Sequence, residues 1–217
     1  MADPITVTPR DMRFTHDGGD SNVWLGGDPI GTAVFNALSL TFPEGERLFM
    51  DAVRQHRGLL NGRLLDDARA FIVQEAIHSR EHVGLNALLN REHYPVSAIE
   101  TEIQQRTAIV RDRGPMAMLS VTIALEHFTA MIANLLLTDT GYLAAAPSEL
   151  ARLWQWHAME ETEHKAVAFD VFLEATREWS SLRRYLFRVR IMALTSVHFT
   201  FLPLDVLFTW PLLASIL

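Results

Sequence analysis

Glutamate and histidine recur along this chain in an order suited to metal chemistry: Glu46, then Glu75 and His78, then Glu126, then Glu161 and His164. A Glu and a His three residues apart stand on one helix face about a turn from each other, so both can bind one ion. Read in steps of four and three, each falls on an otherwise apolar seam. The seams are Phe42, Glu46, Phe49, Val53; Phe71, Glu75, His78, His82, Leu85, Leu89; Leu119, Ile123, Glu126, Ala130, Ala133, Leu137; and Trp154, His157, Glu161, His164, Ala168, Val171. A buried, unpaired carboxylate costs several kcal/mol or takes up a proton, so four of them converging in one core require positive charge among them. No Lys or Arg occupies these stretches. Two divalent or trivalent metal ions are expected to supply the charge.

A single Glu-x-x-His arises often by chance. Two of them, interleaved with two further Glu on apolar faces, are far more specific, and this order is that of the di-iron carboxylate sites of ferritin-like bundles. The gap from His78 to Glu126 is the longest of the three, as the one long crossover of such a bundle requires. The expected fold is therefore all-α: a ferritin-like four-helix bundle with additional helices and an extended N-terminal arm. Helical periodicity covers about 30–40, 42–60, 64–90, 97–112, 115–138, 147–178 and 181–201, with Pro43 placed in a first turn. Residues 1–28, rich in Gly, Pro and Asp, read as the arm, 29–201 as the helical metal-binding domain, and 202–217 as an apolar C-terminal segment, shortened at an apolar run.

Two more histidines lie one turn from the motifs, His82 beyond His78 and His157 before Glu161. One of the two is expected as a further ligand, which the residues alone do not single out; such added imidazole ligation resembles di-iron N-oxygenases. The alternative is that they orient ligands from outside. Glu160 is expected as an outer partner or alternative ligand, and Lys165 and Asp170 as outer partners. Glu44 reads as a solvated first-turn residue and His127 as a structural histidine, while Trp154, Trp156 and Trp179 read as packing.

Composition narrows the function classes. Of 217 residues 49% are hydrophobic, enough for a sizeable core, and the net charge of −7 without a long basic run argues against nucleic acid as a partner. The absence of cysteine excludes disulfides, thiolate metal sites and a cysteine nucleophile. Met1 to Arg13 carries no secretory pattern, so a cytoplasmic location is expected. Ile191 to Leu217 is apolar but interrupted by His198, Pro203, Asp205 and Pro211. A buried or interfacial helix fits it better than a spanning one. With Arg183, Arg184, Arg188 and Arg190 before it, peripheral contact with anionic headgroups is a further expectation. The apolar fraction is compatible with a homodimer.

The blocks Asn36 to Ser39 with Phe42 to Glu46, Gln74 to His78 with Glu81-His82, Leu125 to Phe128, and above all Trp156 to Val171 resemble a bacterial family described as predicted metal-dependent hydrolases. The resemblance covers about residues 20–200 and implies hydrolysis. The residues themselves favour two iron ions, with manganese or zinc as alternatives, that activate O2 to oxidise a small hydrophobic organic substrate. Hydrolysis by a metal-activated water is the alternative. A metal store fits the extra histidines poorly, and a purely structural bundle leaves the buried acids uncompensated.

Overall fold

The computed structural model describes residues 6–16, 23–91, 96–139 and 141–208. Asp28 opens the first helix: its carboxylate accepts the Ile30 N–H, and Pro29 supplies the φ a first turn needs. Helix α1 (Pro29–His56) then runs without interruption through Pro43, where the sequence predicts a new start. A proline inside a helix deletes one N–H, here the one that would reach the Ser39 carbonyl. The Asn86 side-chain amide donates to that carbonyl instead, at 3.0 Å, and the Ser79 hydroxyl donates to the Pro43 carbonyl at 3.2 Å. The helix survives because its neighbour occupies the gap in its ladder.

A single 3-10 turn (Arg57–Leu59) and Gly62, at φ 51°, lead into α2 (Gly62–Arg91). Helix α3 (Val96–Asp112) lies in the long crossover. Gly114, at φ 88°, then turns the chain into α4 (Pro115–Thr138). The predicted helix over 147–178 is two helices, α5 (Ser148–His164) and α6 (Val167–Ala175), broken at Lys165-Ala166 directly after the last motif histidine. Neither glycine nor proline marks that break, so periodicity runs through it unseen. Helix α7 (Ser181–Phe208) crosses the expected boundary at 201/202, and 209–217 lie outside the described residues.

Helix α1 packs on α2, α2 on α5, α5 on α4, and α4 back on α1, a closed ring of four helices, with α3, α6 and α7 against its outside. The fold is all-α among the described residues. Its core has two large apolar clusters, beside a smaller third where Val96, Ile99 and Ile103 of α3 meet Ala37, Leu40 and Leu89. One contains Leu48, Phe49, Val53, Phe71, Leu119, Val171 and Phe172, and the other Phe35, Leu38, Leu85, Ala133, Leu136, Leu153 and Trp154. On α1, α2 and α4 both clusters are fed, one from each side of the motif glutamate, whereas α5 feeds the second cluster and α6, directly after it, feeds the first, so the polar layer is sandwiched by apolar ones.

The arm lies against α2 and α5. Val7 and Phe14 are buried, Gln74 Nε2 donates to the Thr8 carbonyl, and the Phe14 N–H donates to Glu81. Gly84 leaves room for the His16 ring, which a β-carbon there would strike. Helix α4 is long and apolar enough by composition to cross a bilayer, the one such helix among the described residues, but it carries Glu126 into the core and packs on α1, α5 and α7.

Phe172 is fully buried and meets the rings of Trp179 and Phe187, which hold α7 to the bundle. Phe172→Ala is expected to cost about 3–5 kcal/mol in urea unfolding. A loss under about 1 kcal/mol would mean that α6 and α7 add little to the cooperative core.

Candidate metal centre

All four helices of the ring send motif residues into the central layer: Glu46 from α1, Glu75 and His78 from α2, Glu126 from α4, and His157, Glu161 and His164 from α5. All are buried. One atom each of Glu75, His78, Glu161 and His164 lies within 4.8 Å of the others, and one atom each of Glu46, His78 and His157 forms a second such group. Glu161 Oε1 is central. It lies 2.9 Å from His157 Nε2, 3.7 Å from His164 Nε2 and 3.9 Å from His78 Nδ1. Glu126 joins through His164, its Oε2 being 3.3 Å from Nδ1, and Glu75 Oε1 lies 3.5 Å from the same ring's Nε2.

The donor set fits metal ions on an internal observation. Both oxygens of Glu46, Glu75 and Glu126, one of Glu161, both nitrogens of His164 and Nδ1 of His78 are buried without a hydrogen-bond partner. Native interiors rarely leave such atoms unpaired, and here they concentrate in one layer. Cations between the carboxylates and imidazoles would satisfy most of them, one nitrogen of His164 facing an ion and the other its carboxylate neighbour.

The electrostatics agree. Burial, then the Glu161 charge, holds the Glu46 carboxyl well above the usual carboxylate range. Burial, then Glu126, does the same to Glu75. Burial also lifts Glu126, to about 7, against the pull of His164. Glu161 differs: burial is outweighed by His164 and His157, and its pKa falls to about 2. His164, although burial opposes its charge, is lifted to about 9 by Glu126 and Glu161. His78 and His82 are pushed well down, by burial first and neighbouring imidazoles second.

Outer contacts orient the imidazoles. His78 donates from Nε2 to Glu160 Oε2 at 3.1 Å, which leaves Nδ1 turned toward Glu161. The other Glu160 oxygen accepts from Arg10 of the arm, both from the backbone N–H and from the guanidinium, each at 3.1 Å. Arg10 also grips Glu163, which accepts from Gln74. His82 engages Ser39 at Nδ1 and His157 at Nε2, and so reaches no carboxylate of the cluster among the described contacts. Aromatic rings wall the layer: Phe42 against His82 and His157, Phe71 against His164, Trp156 against His78.

Other candidates stand apart. Asp170 is exposed and lines a surface cavity with Lys165 and Asp67. Glu44 pairs with Arg47 and accepts from Thr107 on the outside of α1. The His127 ring meets Phe128, and His56 bonds the Ala52 carbonyl. Trp154 and Trp156 pack on the histidines, whereas Trp179 packs on Phe172 and Phe187. Sequence reasoning missed Arg10, Gln74, Glu163, Ser39 and Asn86. Asn86 had a readable signal, since it continues His78 and His82 in steps of four, and Ser39 lies two turns before Glu46. Arg10, in an extended arm without periodicity, had none.

Residues 8–212 match the model of a family described as predicted metal-dependent hydrolase. The chain belongs to that family. No curated protein and no solved structure matches it. Membership and the buried Glu/His layer together describe a metal-dependent protein of a hydrolase-named family.

These protonation states set a pH dependence for the metal-free protein. Above pH 7 the folded chain retains a proton on His164 up to about 9 and in part on Glu126, whereas the unfolded chain has released them, and the raised values of Glu46 and Glu75 act in the same direction. Their raised values favour the folded state at low pH, and the advantage is lost as pH climbs through the folded values. His78 and His82, neutral in the folded state, add a smaller opposing slope near the unfolded imidazole value of about 6.5, which fades above about pH 8. Urea unfolding of the metal-free protein is expected to show stability falling from pH 7 to 9, on the order of 1 kcal/mol per pH unit for each proton released. A profile that rises with pH would contradict this protonation pattern.

Proposed function

We propose that the chain is a metal-dependent enzyme with a dinuclear centre, its first ion position drawn from Glu75, Glu161 and His164 and closed by Glu126, its second from Glu46 and His157, with His78 giving its one free nitrogen, Nδ1, to one of the two. The observation that carries the reading is the layer of buried, unpartnered carboxylate and imidazole atoms. Membership in a family named for metal-dependent hydrolysis makes hydrolysis the leading reaction. A second reading, oxidation of a small hydrophobic organic molecule with O2, is favoured by one specific feature: two Glu-x-x-His pairs and two further Glu on four packed helices, the pattern of carboxylate-bridged di-iron sites.

Two bound ions would supply Lewis-acid activation of water or of a carbonyl or phosphoryl oxygen and, if they are iron, electrons for O2. The chain's own part is the same in both readings. Glu161, with its low pKa, is ionised at neutral pH and places one oxygen among three imidazoles. Glu160 fixes the His78 ring and Arg10 fixes Glu160. Phe42, Phe71, Trp154 and Trp156 exclude water and lower the local dielectric, which strengthens every charge interaction inside.

The test is the metal content of protein purified without chelators, by elemental mass spectrometry, joined to an ester-hydrolysis panel and an anaerobic iron titration followed by O2. Two zinc or manganese ions per chain with chelator-sensitive hydrolysis supports the leading reading. Two irons with an oxygen-dependent optical transient supports the second, and no bound metal rejects both. Glu75→Ala and His164→Ala are each expected to lower metal content and activity together, and retention of two tightly held ions by either would refute the ligand assignment. Glu160→Leu is expected to weaken metal affinity by roughly 10–100-fold through loss of the His78 partner.

A further inference from the structure

The directions of the hydrogen bonds behind His157 can be assigned because the chain of contacts ends on an atom that only accepts. Pro43 has no N–H, so the Ser39 carbonyl lacks its helical donor and takes the Asn86 Nδ2–H at 3.0 Å. That contact fixes which way the Asn86 amide points, since a carbonyl cannot donate. Asn86 Oδ1 therefore faces the Ser39 hydroxyl, which donates to it at 2.7 Å. With its single hydrogen spent, the Ser39 oxygen can only accept from the third neighbour, His82 Nδ1, at 2.9 Å. His82 is fully buried and makes no ion pair with a carboxylate among the described residues, so it carries one proton, on Nδ1. Its Nε2 must then accept from His157 Nδ1–H at 2.7 Å.

The far nitrogen of His157 is where this ordering arrives. Nε2 faces Glu161 Oε1 at 2.9 Å and Glu46 Oε1 at 3.8 Å. Between one imidazole lone pair and two carboxylate oxygens the occupant that satisfies all three is a metal ion.

We propose that Asn86, Ser39 and His82 form a positioning relay, opened by the missing N–H of Pro43, that holds the Nδ1 proton on His157 and so commits its Nε2 to the second metal position. It rests on the dinuclear reading and assigns His157 as the ligand and His82 as its support. The relay forces His82 into the Nδ1–H form, the less common tautomer of free neutral histidine, which makes it measurable without any metal. Asn86→Leu removes the acceptor of the Ser39 hydroxyl, which then donates to His82 Nδ1 and reverses the chain, leaving His157 with its proton on Nε2.

The experiment is 1H–15N NMR of the full metal-free chain labelled at histidine, with cobalt(II) titration of the same samples followed by visible absorption. In the wild type, His82 is expected with Nδ1 protonated and Nε2 bare, His157 with Nδ1 protonated, and two cobalt ions bound. In Asn86→Leu the His82 tautomer is expected to reverse and the affinity for the second cobalt to fall about 10-fold or more while the first is retained. Ser39→Ala, which deletes the link without adding bulk, is expected to lose the second ion in the same way if the leucine variant folds poorly. A wild-type His82 protonated on Nε2, or variants that keep both tautomer and second-ion affinity, overturns the relay alone. A wild-type chain that binds no cobalt overturns the dinuclear reading, and with it the role of the relay.

Discussion

The fold is organised around one electrostatic constraint: four carboxylates, Glu46, Glu75, Glu126 and Glu161, occupy a layer that water does not reach. Two unit charges 4 Å apart repel by about 4 kcal/mol at the effective dielectric of a protein interior. The imidazole of His164 offsets part of this, which is why Glu161 stays ionised while Glu46 and Glu75 are driven toward their neutral forms. The remaining imbalance is one that bound cations remove. Metal binding and folding would thus be coupled, because ions would be held only by groups the fold has brought together, and the fold would be relieved of repulsion when they are held.

That constraint explains the layering. Helices α1, α2 and α4 carry apolar residues on both sides of the motif layer, and α6 takes over that task where α5 ends, so two apolar clusters press the polar layer from both sides. Their packing positions the side chains: Phe71 sits edge-on to His164, and Trp156 to His78, so rotamers are limited by neighbours before any ion binds. Four helices each contribute to one layer, and a shift of any of them would move a ligand atom of the group.

What the sequence made legible was whatever repeats at the helical period. The four seams, the Glu-x-x-His pairs and the all-α class follow from steps of three and four, which a packed helix must show. What it hid were events of a single residue. Pro43 reads locally as a start, and only the Asn86 amide, contributed from another helix, lets α1 continue past it. The break at Lys165-Ala166 has no residue that announces it. Arg10 lies more than 60 residues in sequence from Gln74, whose amide donates to the same Glu163 and whose helix carries His78, and nothing periodic joins the arm to them.

The outer partners also make the two proposed ion positions unequal. His78 is backed by a carboxylate, Glu160, itself tied to Arg10, whereas His157 is backed by a neutral imidazole, His82. A carboxylate partner draws the N–H proton more strongly and raises the basicity of the opposite nitrogen, so His78 is the stronger donor of the two. The first position would also collect Glu75, Glu161 and His164, while the second would rely on Glu46 and His157. On that proposal an ion at the second position would be held less tightly and be more open to replacement of a ligand by a reactant. Such a difference between neighbouring ions suits chemistry in which one holds the structure and the other exchanges what it binds.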